Sequence, residues 1–232
     1  MTEKSEQKIL VTAKEIIFGE NNKDFFEGFK PVGETDYESR ILANLKIMRR
    51  GTEDGDPNDP KGNAETDTRF KQPIGYAIVY NPTTKQVFAY QRSKDKEKHD
   101  EHRMLGNWSW GFGGHIEAEE LKTKNPIKDS LIREVTQQEI EILGNIKEPK
   151  VLGYLYHDHG VNAVHFGILY IIETDATEVR INDPEIARVE KKSFAELEKI
   201  CELAELEKLK KEPELTVDDW SKTALIPLKD IV

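Results

Sequence analysis

A tight glycine turn that runs straight into carboxylates, Gly113-Gly114-His115-Ile116-Glu117-Ala118-Glu119-Glu120, constrains this chain more than any other stretch. After twelve intervening residues comes Arg133-Glu134, inside a helical pattern that carries more acid. Carboxylates gathered at such a turn repel one another unless a cation lies among them. A hard cation such as Mg²⁺ is the usual answer, and it usually brings substrate phosphates with it. The competing reading is a solvated surface, because acids are spread along the whole chain: 44 Asp and Glu against 34 Lys and Arg, a net charge of −10.

That charge speaks against bulk attraction to a nucleic-acid polymer or an anionic membrane. A chain of 232 residues can bury a sizeable core as one domain with appendages. The single cysteine, Cys201, cannot form an intramolecular disulfide, which fits a reducing compartment. The polar, mixed-charge start lacks the apolar core of a signal peptide, and no apolar run is long enough to span a bilayer. The expectation is a cytoplasmic protein.

The periodicity predicts a strand leading into a turn over 9–18. A helix is expected over 37–49, where Ile41, Leu42, Leu45 and Met48 fall close to helical spacing. Residues 51–67, rich in Gly, Pro, Asn and Asp, read as a long loop. Two β-rich runs, 74–80 and 86–91, flank Asn81-Pro82-Thr83-Thr84-Lys85 and predict a hairpin. Asn125-Pro126 is a good helix start, and that helix is expected to reach about Glu141 on a stripe of Ile127, Leu131 and Val135. Further strands are predicted at 151–156, 163–173 and 178–181, and helices at 194–211 and 217–225. Strands on both sides of a central helix, with hairpins among them, imply a mixed α+β architecture.

Gly114, Glu120, Arg133 and Glu134 together resemble the Nudix box, and Trp108-Ser109-Trp110-Gly111-Phe112-Gly113-Gly114-His115-Ile116 resembles the glycine turn of that family. Lys71-Gln72-Pro73-Ile74-Gly75-Tyr76, Val164-His165-Phe166-Gly167 and Asp219-Trp220-Ser221 resemble a phosphoesterase-like branch of the Nudix superfamily. The resemblance spans about 70–225. It implies an α/β/α sandwich around a mixed β-sheet, with a Nudix-like domain at 70–232. Residues 1–69 would then be an N-terminal extension packed on the core, with a loop at 51–67. It also implies hydrolysis of a diphosphate linkage in a nucleotide or related small molecule, with Mg²⁺ or Mn²⁺.

Two departures matter. Twelve residues separate Glu120 from Arg133 where the box has seven, and the extra loop is assigned to Leu121-Lys122-Thr123-Lys124-Asn125. After Arg133-Glu134-Val135-Thr136 the box has two glutamates, but this chain has Gln137-Gln138 followed by Glu139. At roughly 100° per residue, Gln137 and Gln138 share the face of Glu134, and Glu139 lies about 140° away. A one-residue bulge would instead put Gln138-Glu139 at the paired position and Ile142 at the closing apolar position. Such bulges occur inside helices at functional sites, and the bulged register matches the motif better. Glutamine can ligate Mg²⁺ through its carbonyl oxygen but brings no charge and cannot act as a base.

The resemblance assigns metal binding to Gly114 through its carbonyl, and to Glu120, Glu134, Gln138 and Glu139. The water-activating carboxylate is sought among Glu134, Glu139 and Glu117. Arg133 is read as structural, pairing with Glu120. Arg92 and Arg103 are candidates for substrate phosphate, and His165 and Trp110 for the rest of the substrate, each against a plain core or surface role. The histidines of His157-Asp158-His159-Gly160 and His99-Asp100-Glu101-His102 read as solvated loop in preference to metal ligands. An isomerase of the isopentenyl-diphosphate type, which shares the fold, would need a cysteine near the glycine turn, and Cys201 is far from it in sequence. Two readings remain: a Mg²⁺-dependent hydrolase, or a nucleotide-binding or sensor protein that kept the fold and lost hydrolysis. Assembly into a homodimer stays open.

Overall fold

The computed structural model describes residues 4–33, 35–95, 97, 104–210 and 213–231. Its strands are β1 (Lys8–Ala13), β2 (Gly28–Pro31), β3 (Lys46–Arg49), β4 (Phe70–Asn81), β5 (Gln86–Arg92) and β6 (Trp108–Ser109). They continue with β7 (Ile140–Ile142), β8 (Lys150–Tyr156), β9 (His165–Glu173), β10 (Val179–Ile181) and β11 (Ile186–Lys192). The α-helices are α1 (Lys14–Phe18), α2 (Tyr37–Leu42), α3 (Pro126–Arg133), α4 (Phe194–Glu207) and α5 (Asp219–Leu228). Among the described residues no helix is long and apolar enough to cross a membrane.

The chain sorts into two compact units, each assembled from separated segments. One holds 1–75, 113–132 and 152–168; the other holds 76–112, 133–151 and 169–232. In the first unit β1 pairs antiparallel with β3, Lys8 opposite Arg49, and then with the start of β4, Thr12 opposite Lys71. β1 and β3 are thus bound into this unit by β-pairing. Ile9, Val11 and Ala64 are buried together, with Met48 and Phe70 packed against them. β2 pairs antiparallel with β8. Phe18, Phe25 and Phe26 gather with Tyr156 and Phe166, and Phe18 lies 4.8 Å from the Tyr156 ring.

In the second unit the expected hairpin is present: β4 and β5 pair at Tyr80–Val87 and Asn81–Gln86, with the Asn81 side chain accepting from Thr83 and Thr84 N–H groups. Along its other edge β5 pairs with β11 from Arg92 back to Val87. β7 pairs with β10. Asp218 caps α5, its carboxylate accepting from Ser221 N–H at 2.8 Å. Ser193 and Glu196 form a capping box at the start of α4. Along α4, i,i+3 ion pairs such as Lys199–Glu202 and Lys208–Glu205 form between exposed side chains.

Two predicted helices are shorter than expected, and two strands were not predicted. The helix expected over 37–49 stops at Leu42, and Lys46–Arg49 is a strand. Of the four apolar positions at helical spacing only Ile41 is buried, and pairing with β1 claims the rest of the segment. The helix expected to reach Glu141 ends at Gln138, because Ile140-Glu141-Ile142 alternates and pairs with Val179-Arg180-Ile181. Glu141 accordingly leaves the Glu134 stripe and pairs with Arg180. β2 and β11 lie where no strand was predicted. The long loop at 51–67 has no helix or strand, but it is built in: Asn63, Glu65 and Asp67 are buried.

Candidate functional site

The glycine turn lies in the first unit and is set by a close backbone approach. A Cβ on Gly113 would stand 2.0 Å from the Gly75 carbonyl oxygen, so only glycine fits there. Beyond it, half-buried Gly114 and His115 lead to Glu117, which bridges to Ile9 of β1. Glu117 caps a short 3₁₀ turn, Ala118–Lys122, and its own N–H donates to Glu120 Oε2 at 2.7 Å. Gln7 Nε2 donates to Glu117 Oε1 at 3.4 Å. Both acids thus shape the chain locally. In the same unit His115 Nε2 stands 3.7 Å from Glu65 Oε1, which accepts from Arg50 Nε at 2.9 Å. The His165 ring lies 5.7 Å from that of His115, with its Nδ1 2.7 Å from the Val161 carbonyl oxygen. Glu65 had no motif around it to mark it.

The second unit holds the other acids. Immediately after α3 the helix widens into a π turn over Glu134–Gln138, closed by Glu139 N–H donating to the Glu134 carbonyl at 3.0 Å. This is the one-residue bulge. It puts residues five apart one above the other, so Glu134 and Glu139 share a face. Both are buried, 5% and 6% exposed, whereas Gln137 and Gln138 face solvent. Arg133 Nη1 donates to Glu134 Oε1 at 2.9 Å and also to the Gln138 side-chain oxygen. The Glu139 carbonyl accepts from Asn182 and Asp183 N–H groups, which fixes the end of the turn.

Arg92 also belongs to this unit. Its guanidinium donates to Glu185 Oε2 at 2.9 Å and lies 5.6 Å from the Tyr90 ring centroid. Burial alone would lower its pKa; Tyr90, Glu139, Glu185 and Asp183 more than offset that and raise it. Arg92 is thus a permanent cation in the field of Glu139, already bonded to an acid. Trp110 is wholly buried, so its indole is core and offers no open face for substrate. The Trp110 backbone N–H donates to Ser221 Oγ at 3.0 Å. Ser221 Oγ in turn donates to Asp218 Oδ2 at 2.6 Å and stands 2.7 Å from Tyr76 Oη. Burial pushes the Asp218 carboxyl up, against the Ser221 hydrogen bonds that pull it down. Arg103 and the 99–102 histidine segment lie outside the described residues.

No family model matches the chain. Tm1382, a candidate Nudix hydrolase of known crystal structure, superposes with a TM-score of 0.69 at 22% identity, over 97% of this chain and 100% of that one. The chain has the Nudix fold. It is a mixed sheet with flanking helices, as the glycine turn and the Arg133-Glu134 pair led one to expect, and the Nudix match takes in most of residues 1–69 as well. Protein YmaB of Bacillus subtilis (strain 168) is 29% identical over 181 residues, covering 73% of this chain and 77% of YmaB.

A Nudix metal centre calls for oxygen donors, and the donor set here fits one. Two carboxylates buried on one helix face, Glu134 and Glu139, are oxygen donors of the kind that suits a hard divalent ion. Glu134 and Glu139 are the residues that would hold it. Gln138 offers a neutral carbonyl oxygen that is bonded to Arg133.

Proposed function

We propose that the chain is a Mg²⁺- or Mn²⁺-dependent Nudix hydrolase that cleaves a diphosphate linkage in a nucleotide or related small molecule. One observation carries the reading: the π turn brings two buried carboxylates, Glu134 and Glu139, onto one face. Two carboxylates on one face offer the anionic oxygen donors that a hard divalent ion takes. When bound, a divalent ion neutralises diphosphate oxygens and positions a water. Arg133, bonded to Glu134 and to Gln138, fixes the direction in which the Glu134 carboxylate points. Glu139 is the better candidate to take the proton from water, since it is a carboxylate and its neighbour Gln138 is not.

The exposed Gln137-Gln138 pair supports the second reading, a nucleotide-binding protein without turnover. The two are separated by a panel of nucleoside diphosphate compounds assayed with Mg²⁺ and Mn²⁺. Glu134→Gln and Glu139→Gln are each expected to lower kcat by about 10²-fold or more with a smaller change in KM. Undiminished turnover in both variants would overturn the assignment of these residues. Tight nucleotide binding with no turnover under either metal would establish the binding protein instead.

A further inference from the structure

We propose that Glu27, His157 and His159 form a transition-metal site, Zn²⁺ being the first candidate, that clamps the start of β2 to the end of β8. The argument begins with register. β2 and β8 run antiparallel with Gly28 opposite Tyr156 and Phe29 opposite Leu155. One step beyond the ladder, the same register sets Glu27 opposite His157. Side chains alternate along an extended chain, so His159 falls on the His157 side and Asp158 on the Tyr156 side.

The contacts follow that alternation. Tyr156, wholly buried, donates its hydroxyl to Asp158 Oδ1 at 2.6 Å, and Lys14 Nζ binds Asp158 Oδ2 at 3.2 Å. These bonds hold the segment from the inner side. On the outer side Glu27 Oε1 stands 3.6 Å from His157 Nδ1, and the His157 and His159 rings are 5.5 Å apart. One donor atom from each of the three residues lies within 4.8 Å of the other two. Gly160, at φ +56°, then turns the chain into the 3₁₀ turn Gly160–Val164, which fixes where His159 leaves the strand.

The donors choose the metal. A tetrahedral Zn²⁺ with bonds of about 2.0–2.1 Å needs its donors about 3.3 Å apart. The pair at 3.6 Å is nearly there, and Glu27 and His159, both exposed, close the rest by side-chain rotation. Two imidazoles and one carboxylate suit Zn²⁺, Ni²⁺ or Cu²⁺, whereas Mg²⁺ prefers oxygen alone. Three protein donors leave a position for water. The residues and the metal class both differ from those of the proposed hydrolytic centre. The clamp would close the ribbon under which Phe18, Phe25 and Phe26 pack on Tyr156.

The test is calorimetric titration of the full chain with Zn²⁺ at neutral pH in excess Mg²⁺, with imidazole NMR resonances followed in parallel. One Zn²⁺ per chain is expected, with the His157 and His159 signals shifted and thermal stability raised by several degrees. His159→Asn and His157→Asn should each weaken binding at least about tenfold, since even an outer partner of a metal ligand is worth that much. His159 is exposed, so its variant decides the matter even where His157→Asn folds poorly. Absence of Zn²⁺ binding, or undiminished binding in the His157→Asn/His159→Asn double variant, would overturn the proposal. Neither result bears on whether the chain hydrolyses a diphosphate.

Discussion

Ser221→Ala should be among the most damaging single-atom changes in the second unit. The Ser221 hydroxyl is wholly buried and lies at the centre of a polar knot. It donates to Asp218 Oδ2 at 2.6 Å, accepts from the Trp110 backbone N–H at 3.0 Å, and stands 2.7 Å from Tyr76 Oη and 3.1 Å from Ser109 Oγ. Truncation removes a hydrogen bond to a carboxylate, worth about 1.5–3 kcal/mol, and leaves the Trp110 N–H without this acceptor at a cost of about 1–3 kcal/mol. Tyr76 keeps Ser109 at 3.0 Å, and Asp218 keeps the Ser221 N–H at 2.8 Å, so neither adds a full loss. A total of about 2.5–6 kcal/mol follows, or a fall in Tm of about 5–24 °C for a chain of this size. Urea unfolding followed by tryptophan fluorescence and by circular dichroism would measure it. Tyr76→Phe, which removes a more peripheral member, should cost only about 1 kcal/mol. A loss below 1 kcal/mol for Ser221→Ala, or a larger loss for Tyr76→Phe, would refute the view that Ser221 centres the knot.

Gly113→Ala should abolish folding or cost about 3 kcal/mol or more, because its Cβ would meet the Gly75 carbonyl oxygen at 2.0 Å. Gly75→Ala, whose nearest contacts are at 3.1 Å, should be milder; soluble yield and Tm compare the two. Lys71 is wholly enclosed, donates to the Thr68 and Ala163 carbonyls, and burial brings its ammonium down from 10.5 to about 8. Between those two values the unfolded chain holds the Lys71 proton that the folded chain has released, so this group makes stability rise with pH across that window and leaves it flat below. Lys71→Met should remove that rise, seen as the difference between wild-type and variant unfolding curves from pH 7 to 10.5; parallel curves would refute it.

Much of the molecule was legible in the sequence because short-range chemistry decided it. The Asn81-Pro82-Thr83-Thr84-Lys85 turn specified its hairpin, as the Asn81 side chain binds the turn's own N–H groups. Asn125 caps α3 through Lys128 N–H at 3.1 Å, as Asn-Pro at a helix start implies. The glycine turn and Arg133-Glu134 pointed to the Nudix fold before any coordinate did. Partners distant in sequence decided the rest. Lys46–Arg49 has helical spacing but pairs with β1, and Ile140–Ile142 leaves the helix to pair with β10. The sequence left two registers for Glu139; the backbone chose the wide one, since residues after it had to enter a strand. Glu27 meets His157 and His159 only through the β2–β8 register, and no spacing along one chain encodes which strand will lie alongside another.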